Sequence, residues 1–209
     1  MKPPIKNYIS ELYPEGSVTQ WFGKNPDLYA FLGLNGHNGI DIVAPYGTPI
    51  IAPCDMCIVE VKNKPDGYGR HIRGIGNGYE LTFGHLSEVC VELNQEVLEG
   101  EEIGKMGNSG FVVSGETPFW KYNPYAGTHL HFGLRKFVSR IHNEPYNIQY
   151  STELKGTIEN HNNGYMGSVD PRHIIETDDT EEKKKLLLTA ISLSNHLILL
   201  LKKIINLKK

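Results

Sequence analysis

Two short histidine-containing segments, far apart in the chain, carry the side chains best suited to chemistry. The first runs from His37 to Asp41 and the second from His129 to His131. Imidazole nitrogens and carboxylate oxygens are common zinc ligands, and three of them beside an open fourth position are typical of a catalytic site. If the two segments meet in the fold, they predict a metal ion that can still accept a water or a substrate atom.

His129 and His131 have the spacing of two side chains on one face of a β-strand. Each residue of an extended strand rises about 3.3 Å and successive side chains alternate, so the two Cα atoms would lie roughly 6.6 Å apart. Both imidazoles could then bind one zinc ion, or one could bind while the other stands over the metal-bound water. The spacing leaves both arrangements open.

His37 and Asp41 are four residues apart, which predicts a bend. Three glycines between positions 33 and 39 and the β-branched pair at 42–43 disfavour a helix and favour a strand. On a straight strand the two Cα atoms would lie about 13 Å apart, too far for chelation. We therefore expect a bend or bulge at Gly39, where glycine tolerates unusual backbone angles.

A third histidine segment, Phe83 to Ser87, lies between the other two. A lone histidine is usually a surface or core residue, but the three segments in this order form a specific combination. The series resembles the lysostaphin or LytM type of zinc endopeptidase, which cuts bacterial peptidoglycan cross-links. The resemblance covers roughly residues 15–137, and its motifs are GHNGID at 36–41, APYGTP at 44–49, GYELTFGHL at 78–86, the stretch 100–110 and THLHF at 128–132.

The resemblance implies one zinc ion per chain, held by His37, Asp41 and His131. It also implies that His85 and His129 assist catalysis without binding metal, by taking a proton from the attacking water, stabilising the oxyanion or protonating the leaving amine. Which histidine does which stays open. Unlike H-E-x-x-H proteases, the chain has no glutamate beside its ligand histidines, so imidazole would be the general base.

The implied function is that of a zinc metalloendopeptidase, a peptidoglycan hydrolase that cuts cross-links or stem peptides. The alternative is a non-catalytic wall-binding or virion assembly module that retains the peptidase fold. All five histidine and aspartate residues of the resemblance are present, which favours the enzyme. No residue discriminates among glycine bridges, D-Ala to diaminopimelate cross-links and stem-peptide bonds.

The stretch 111–127 is longer than the short loop that many relatives have before the H-x-H motif. Large aromatic rings offer flat contact faces, so those of this loop are candidates for a substrate-binding groove wall. The alternative is that they anchor a long loop onto the body. The candidates are Phe119, Trp120, Tyr122 and Tyr125.

Composition and periodicity predict a mainly β fold, an antiparallel sheet or sandwich, over a peptidase domain of residues 1–176. The 209 residues are 39% hydrophobic and include 22 glycines and 12 prolines, as expected for short strands joined by many turns. Residues 76–78 are expected to form a hairpin connection, and 138–168 an irregular excursion. Strands are predicted at 18–22, 40–43, 57–62, 70–75, 79–85 and 129–135.

Residues 177–209 are predicted to form a C-terminal amphipathic helical tail. Acidic residues open it near Thr180, and apolar residues then alternate four and three apart from Leu186 to Leu207 as a heptad seam. The helix at 183–207 would pack on its own body, self-associate or dock on a partner. Membrane contact is the less favoured reading, because the apolar span is about 16 residues and spanning needs roughly 20.

Charge and cysteine content argue against a nucleic-acid-binding protein and against a fold held by disulfides. The net charge is −3, and because residues 180–209 contain seven Lys and two Glu, the body before them is acidic. We therefore expect no nucleic-acid partner. Cys54, Cys57 and Cys90 are read as ordinary thiols, since an odd count argues against a disulfide framework.

The first seven residues lack the apolar core of a signal peptide. We therefore expect synthesis in the cytoplasm, with action on the cell wall after release or as a virion-associated component. Such a route would fit a bacteriophage lysin or a tail-associated wall hydrolase.

Overall fold

The computed structural model describes residues 1–5, 18–114, 117–118, 121, 123–139, 147–151 and 154–175. The helix expected at 183–207 and the domain boundary expected at 176 lie outside these ranges and stay predictions. Within the described ranges, no helix is long and apolar enough to cross a membrane.

The described chain is built mainly of antiparallel strands, which confirms the predicted fold class. Helix α1 (Pro26–Tyr29) continues into a 3-10 turn (Ala30–Leu32), and a second 3-10 turn covers Pro171–His173. The strands are β1 (Val18–Gln20), β2 (Ile40–Ile42), β3 (Pro49–Ile51), β4 (Met56–Asn63), β5 (Arg70–Gly76), β6 (Tyr79–Gly84), β7 (Leu86–Val89), β8 (Glu96–Val97), β9 (Glu102–Met106), β10 (Val113–Ser114), β11 (Thr117–Pro118), β12 (Leu130–Val138), β13 (Asn147–Gln149), β14 (Lys155–Ile158) and β15 (Ser168–Val169).

Two sheets enclose the hydrophobic core. The larger has the order β1-β2-β12-β6-β5-β4-β8, with β14 and β15 also pairing with β12, and the smaller has the order β3-β9-β7. Phe83 and Phe132 of the large sheet join Ile50 and Ile103 of the small sheet in one buried cluster. The core therefore covers one face of the large sheet and leaves the other face for polar residues.

Strand β12 shows how the sequence separates these two faces. Leu130, Phe132 and Leu134 lie in the core cluster, and because side chains alternate along a strand, His131 and Arg135 project from the opposite face. The alternation thus places one predicted metal ligand on the polar face of the sheet.

All six predicted strands are present, with small differences at their ends. β6 stops at Gly84 because His85 has a φ of 63°, which breaks the extended ladder. His129 precedes β12 and forms an isolated bridge with Gly107. The predicted hairpin is confirmed: Asn77 and Gly78 both have positive φ, as a type I′ turn requires.

The expectation of an irregular excursion over 138–168 was wrong in part. β13 and β14 form an antiparallel pair in this range, and β14 also pairs with the end of β12 at Phe137 and Val138. These strands are short and mostly polar, so hydrophobic periodicity could not mark them. The strands β3, β7, β8 and β9 also escaped prediction, because each has at most five residues and so shows no clear alternation.

Charged side chains join β4 and β5 on the polar face of the large sheet. Glu60 of β4 accepts a hydrogen bond from His71 of β5 at 3.0 Å and another from Lys62, and Arg73 lies 3.6 Å away. Burial raises the pKa of Glu60, but the bonds from His71 and Lys62 outweigh burial and lower the pKa to about 2. The ionised carboxylate is therefore stabilised by the folded state.

We expect Glu60→Gln to lower the unfolding free energy at pH 7 by on the order of 2–3 kcal/mol. Because the folded-state pKa lies below the unfolded one, this contribution is full above about pH 5 and declines as the pH falls toward 2. Urea unfolding at pH 7, 5 and 3.5 would measure it. Glu88→Gln, which removes an exposed pair with Lys105, should leave the unfolding free energy nearly unchanged, because solvent screens such pairs. If the loss of unfolding free energy in Glu60→Gln were the same at all three pH values, the stabilising role of the ionised carboxylate would be contradicted.

Candidate metal centre

Three side-chain atoms from the two predicted segments converge at one point. His37 Nε2 lies 2.9 Å from His131 Nδ1 and 3.1 Å from Asp41 Oδ1, and His131 Nδ1 lies 3.2 Å from the same carboxylate oxygen. All three residues are buried. Ligands of a tetrahedral zinc ion about 2.0–2.1 Å from the metal stand roughly 3.3 Å from one another. The three atoms are thus already spaced close to the edges of such a tetrahedron.

The chemistry of these atoms fits a cation. Burial raises the pKa of Asp41, but hydrogen bonds from His131 and His37 outweigh burial and hold this pKa well below its usual range. Burial lowers the pKa of His131 to about 4, although Asp41 opposes this shift. A carboxylate and a neutral imidazole are the protonation states that bind metal.

The register of β2 and β12 brings the distant segments together. Asp41 is the direct antiparallel partner of His131. His37 precedes β2, and the bends at Asn38 and Gly39 turn its side chain back toward Asp41, which confirms the predicted bend. Backbone bonds from His37 N to Lys24 O and from Gly23 N to His37 O anchor the loop.

Gly39 is needed for space rather than for unusual backbone angles, which corrects the sequence-based reason. Its φ lies outside the left-handed region, but a β-carbon at this position would stand 2.6 Å from Phe132 O and 2.8 Å from the His131 ring. No side chain fits there without moving a candidate ligand. The glycine therefore permits the close approach of the loop to β12.

Packing against aromatic rings orients the two imidazoles. Neither His37 Nδ1 nor His131 Nε2 has a hydrogen-bond partner in the described part of the chain. Instead Tyr29 stacks on His37, with ring centroids 5.3 Å apart, and Tyr68 tilts over His131 at 4.8 Å. Asn38 Nδ2 donates to the Tyr68 hydroxyl at 2.8 Å and ties that ring to the bend. Sequence reasoning missed both tyrosines because neither belongs to a metal-ligand spacing.

His85 and His129 stand side by side next to this cluster. Their ring centroids are 4.6 Å apart, and His129 Nε2 lies 3.9 Å from Asp41 Oδ1. His85 Nδ1 donates to Ser109 O and His129 Nδ1 donates to Gly127 O. Because a carbonyl only accepts, each Nδ1 carries the proton, and Nε2 of each neutral ring is an acceptor.

The environments of these two histidines differ. Burial, followed by the neighbouring His129 and His131, lowers the pKa of His85 to about 3. His129 is more exposed, with 16% of its side chain accessible. His85 is therefore held neutral, whereas part of the His129 ring faces solvent.

The predicted aromatic wall can be described only at Tyr125, because Phe119, Trp120 and Tyr122 lie outside the described residues. Tyr125 is 62% exposed, and its ring packs edge-on against Tyr46 at 5.0 Å. The carbonyls of the adjacent Pro124 and Ala126 accept hydrogen bonds from buried Asn108. The loop is thus anchored while the Tyr125 ring stays accessible, and substrate contact by Tyr125 stays a prediction.

Comparison with known proteins identifies the class. The model described as "Peptidase family M23" matches residues 35–147, more than half of the chain. The chain therefore belongs to peptidase family M23, which confirms the resemblance to the lysostaphin and LytM type. A bacteriophage origin stays a prediction.

Curated relatives include peptidoglycan endopeptidases. The peptidoglycan DD-endopeptidase ShyA of Vibrio cholerae is 34% identical over 98 residues, 47% of this chain and 20% of ShyA. The L-Ala–D-Glu endopeptidase of Bacillus subtilis is 36% identical over 114 residues, 53% of this chain and 32% of that protein. The matches thus span a third or less of these relatives. The catalytic domain of lysostaphin from Staphylococcus simulans, at 23% identity and a TM-score of 0.50, covers 80% of this chain and 97% of that domain, and shows the same fold.

We expect Gly39→Ala to weaken zinc binding by about 10- to 100-fold, because its methyl group would displace His131. Gly133→Ala is the matched control, since a β-carbon there would make ordinary contacts of 3.4 Å or more, one of them with His131 Nε2. Competition with a chromogenic chelator would measure affinity, and circular dichroism would verify folding. Equal affinities in the two variants would refute the close-approach argument.

Proposed function

We propose that this chain is a zinc-dependent endopeptidase that hydrolyses peptide bonds in bacterial peptidoglycan. The observation that carries the proposal is the convergence of the three candidate ligand atoms beside two further histidines whose Nε2 atoms are acceptors. Membership of family M23 and the peptidoglycan endopeptidases among its relatives support it. The alternative of a non-catalytic module is not favoured, because such a module has no need for this donor set.

His37, Asp41 and His131 would hold the ion. Zinc bound there would supply a Lewis acid for the scissile carbonyl and a source of nucleophilic water near neutral pH. Three protein ligands suit a catalytic site, because a fourth protein ligand would close the position that substrate needs.

His129 and His85 differ in their exposure and in their neighbours. Neither neutral ring can donate from Nε2, so each must first take a proton. His129 is partly exposed and lies 3.9 Å from the Asp41 carboxylate, whereas burial disfavours an imidazolium at His85. We therefore propose that His129 takes a proton from the attacking water and passes it to the leaving amine. His85 would accept a hydrogen bond from that water and so orient it.

The cellular setting proposed for this activity is the cell wall. Three further predictions concern residues or events outside the described structure. They are release or virion delivery, self-association or partner docking through the helix at 183–207, and a domain boundary at 176. They stay predictions beside the proposed activity.

Single substitutions should separate metal binding from turnover. We expect His131→Ala to lose zinc and activity, and His129→Ala to keep about one zinc per chain while turnover falls by about 10²- to 10⁴-fold. Elemental analysis of purified variants and a dye-release assay on peptidoglycan would measure the two effects. His173→Ala, at an exposed position outside the cluster, should change neither. Normal turnover in either site variant would break the assignment.

Chelation should abolish hydrolysis and added zinc should restore it. Purified protein would be incubated with peptidoglycan of several chemotypes, with and without a chelator, and the new amino termini would be identified by mass spectrometry. The metal-dependent appearance of one defined terminus is the expected result. Binding to the wall without any new terminus would favour the non-catalytic module.

A further inference from the structure

Arg73 lies on the same face of the large sheet as the candidate metal ligands. In the antiparallel register Arg73 pairs with Thr82, and Thr82 pairs with Gly133, two residues along β12 from His131. Residues two apart on a strand share a face, and those directly paired share it too. Along this register the strand positions between Arg73 and His131 are thus Thr82 and Gly133, both small residues.

One aromatic ring separates the guanidinium from a candidate ligand. The Tyr68 ring centroid is 4.8 Å from that of His131, and Arg73 Cζ lies 6.0 Å from the same tyrosine centroid. Because an extended peptide advances about 3.3 Å per residue, a substrate cut at the metal would pass Arg73 within roughly three residues of the scissile bond.

The two acidic neighbours of Arg73, Glu60 and Glu80, accept hydrogen bonds from other residues that are shorter than their distances to Arg73. Glu60 accepts from His71 and Lys62, and Glu80 accepts from Arg135 and Tyr150. Arg73 Nε stands 3.6 Å from Glu60 and 4.0 Å from Glu80, which are ion-pair distances rather than hydrogen bonds.

Arg73 therefore has unused hydrogen-bonding capacity. Its Nε is buried, faces Glu60 and Glu80, and has no hydrogen-bond partner among the described residues. Because 23% of the side chain is exposed, the other N–H groups of the guanidinium are the ones that a substrate could reach. An arginine carries five N–H donors in a fork that matches a carboxylate. A cation with an unused donor beside a hydrolytic site suits an anionic substrate group.

We propose that Arg73 is a specificity-determining residue that binds a free carboxylate of the substrate within about three residues of the scissile bond. This inference rests on the proposed function and narrows its substrate class to anionic stem peptides and cross-links, as opposed to neutral glycine bridges. A carboxylate can accept two charge-assisted hydrogen bonds from a guanidinium, whereas a carboxamide has no charge and one acceptor oxygen. Amidation of the same peptide should therefore weaken recognition.

The test uses two synthetic stem peptides, one with free carboxylates and one fully amidated. We expect the wild-type protein to prefer the first by about tenfold or more in kcat/KM, chiefly through KM. Arg73→Gln should lower kcat/KM for the carboxylate peptide by about 10- to 100-fold and leave the amidated peptide within about twofold. Arg73→Lys should retain part of the preference, because it keeps the charge but not the fork.

Lys136→Gln is the matched control. Lys136 pairs with Glu159 at 2.8 Å, and 54% of its side chain is exposed. Its loss removes one positive charge from the sheet without touching the acidic neighbours of Arg73, so the preference between the peptides should not change. Loss of preference in Lys136→Gln, equal losses on both peptides in Arg73→Gln, or a wild-type protein without preference would each overturn the proposal.

Binding in the presence of chelator separates this inference from the proposed function. Fluorescence anisotropy with labelled versions of both peptides should show the carboxylate preference in the wild-type protein and its loss in Arg73→Gln. If the wild-type protein cleaves neither peptide but binds with this preference, the proposed hydrolysis fails and the Arg73 assignment holds. If cleavage occurs without any preference in binding or in kcat/KM, the assignment of Arg73 fails alone.

Discussion

The antiparallel pairing of β2 with β12 is the constraint on which the rest of the site depends. It sets Asp41 directly opposite His131, two residues that are 90 positions apart in the chain. A slip of one residue would turn every side chain of β2 to the other face and move the carboxylate into the core. The buried Ile40 and Ile42 oppose such a slip, because it would bring both into the polar face.

The same pairing holds three electron-rich atoms within about 3 Å of one another. Such a cluster is costly without a proton or a cation between its members, so the surrounding structure has to hold it. Tyr29 and Tyr68 pack on the two imidazoles, and Gly39 allows the loop to approach. Rigid support of this kind favours cation binding, because the side chains lose little conformational freedom when the ion binds.

Much of this arrangement could be predicted from sequence because it depends on local patterns. Alternation marked the long strands β4, β5, β6 and β12, and residue type and spacing marked the histidine segments. Several short strands, among them β3 and β7 to β9, could not be found, since pairing with neighbours rather than their own composition makes them strands. The reason for Gly39 also escaped, because the chain that it contacts is about 90 residues away.

Interactions that depend on distant partners were the hardest to foresee. Tyr68 belongs to a glycine-rich turn, and its position in the sequence gives no sign of a role at the site. In the fold its ring contacts His131, and its hydroxyl accepts a hydrogen bond from Asn38. In the sequence pattern Arg73 is an ordinary polar residue of a half-exposed strand. Only the register of three strands shows that it shares a face with the candidate ligands.

The left-handed backbone of His85 has an evolutionary consequence. Residues other than glycine adopt this conformation at an energetic cost, which the surrounding contacts must offset. The Tyr68 carbonyl receives the His85 backbone N–H, and the Ser109 carbonyl receives its ring N–H. Glycine at position 85 would relieve the backbone cost but lose the ring hydrogen bond to Ser109, so retention of histidine there would mark a lineage in which the role proposed for its ring is still under selection.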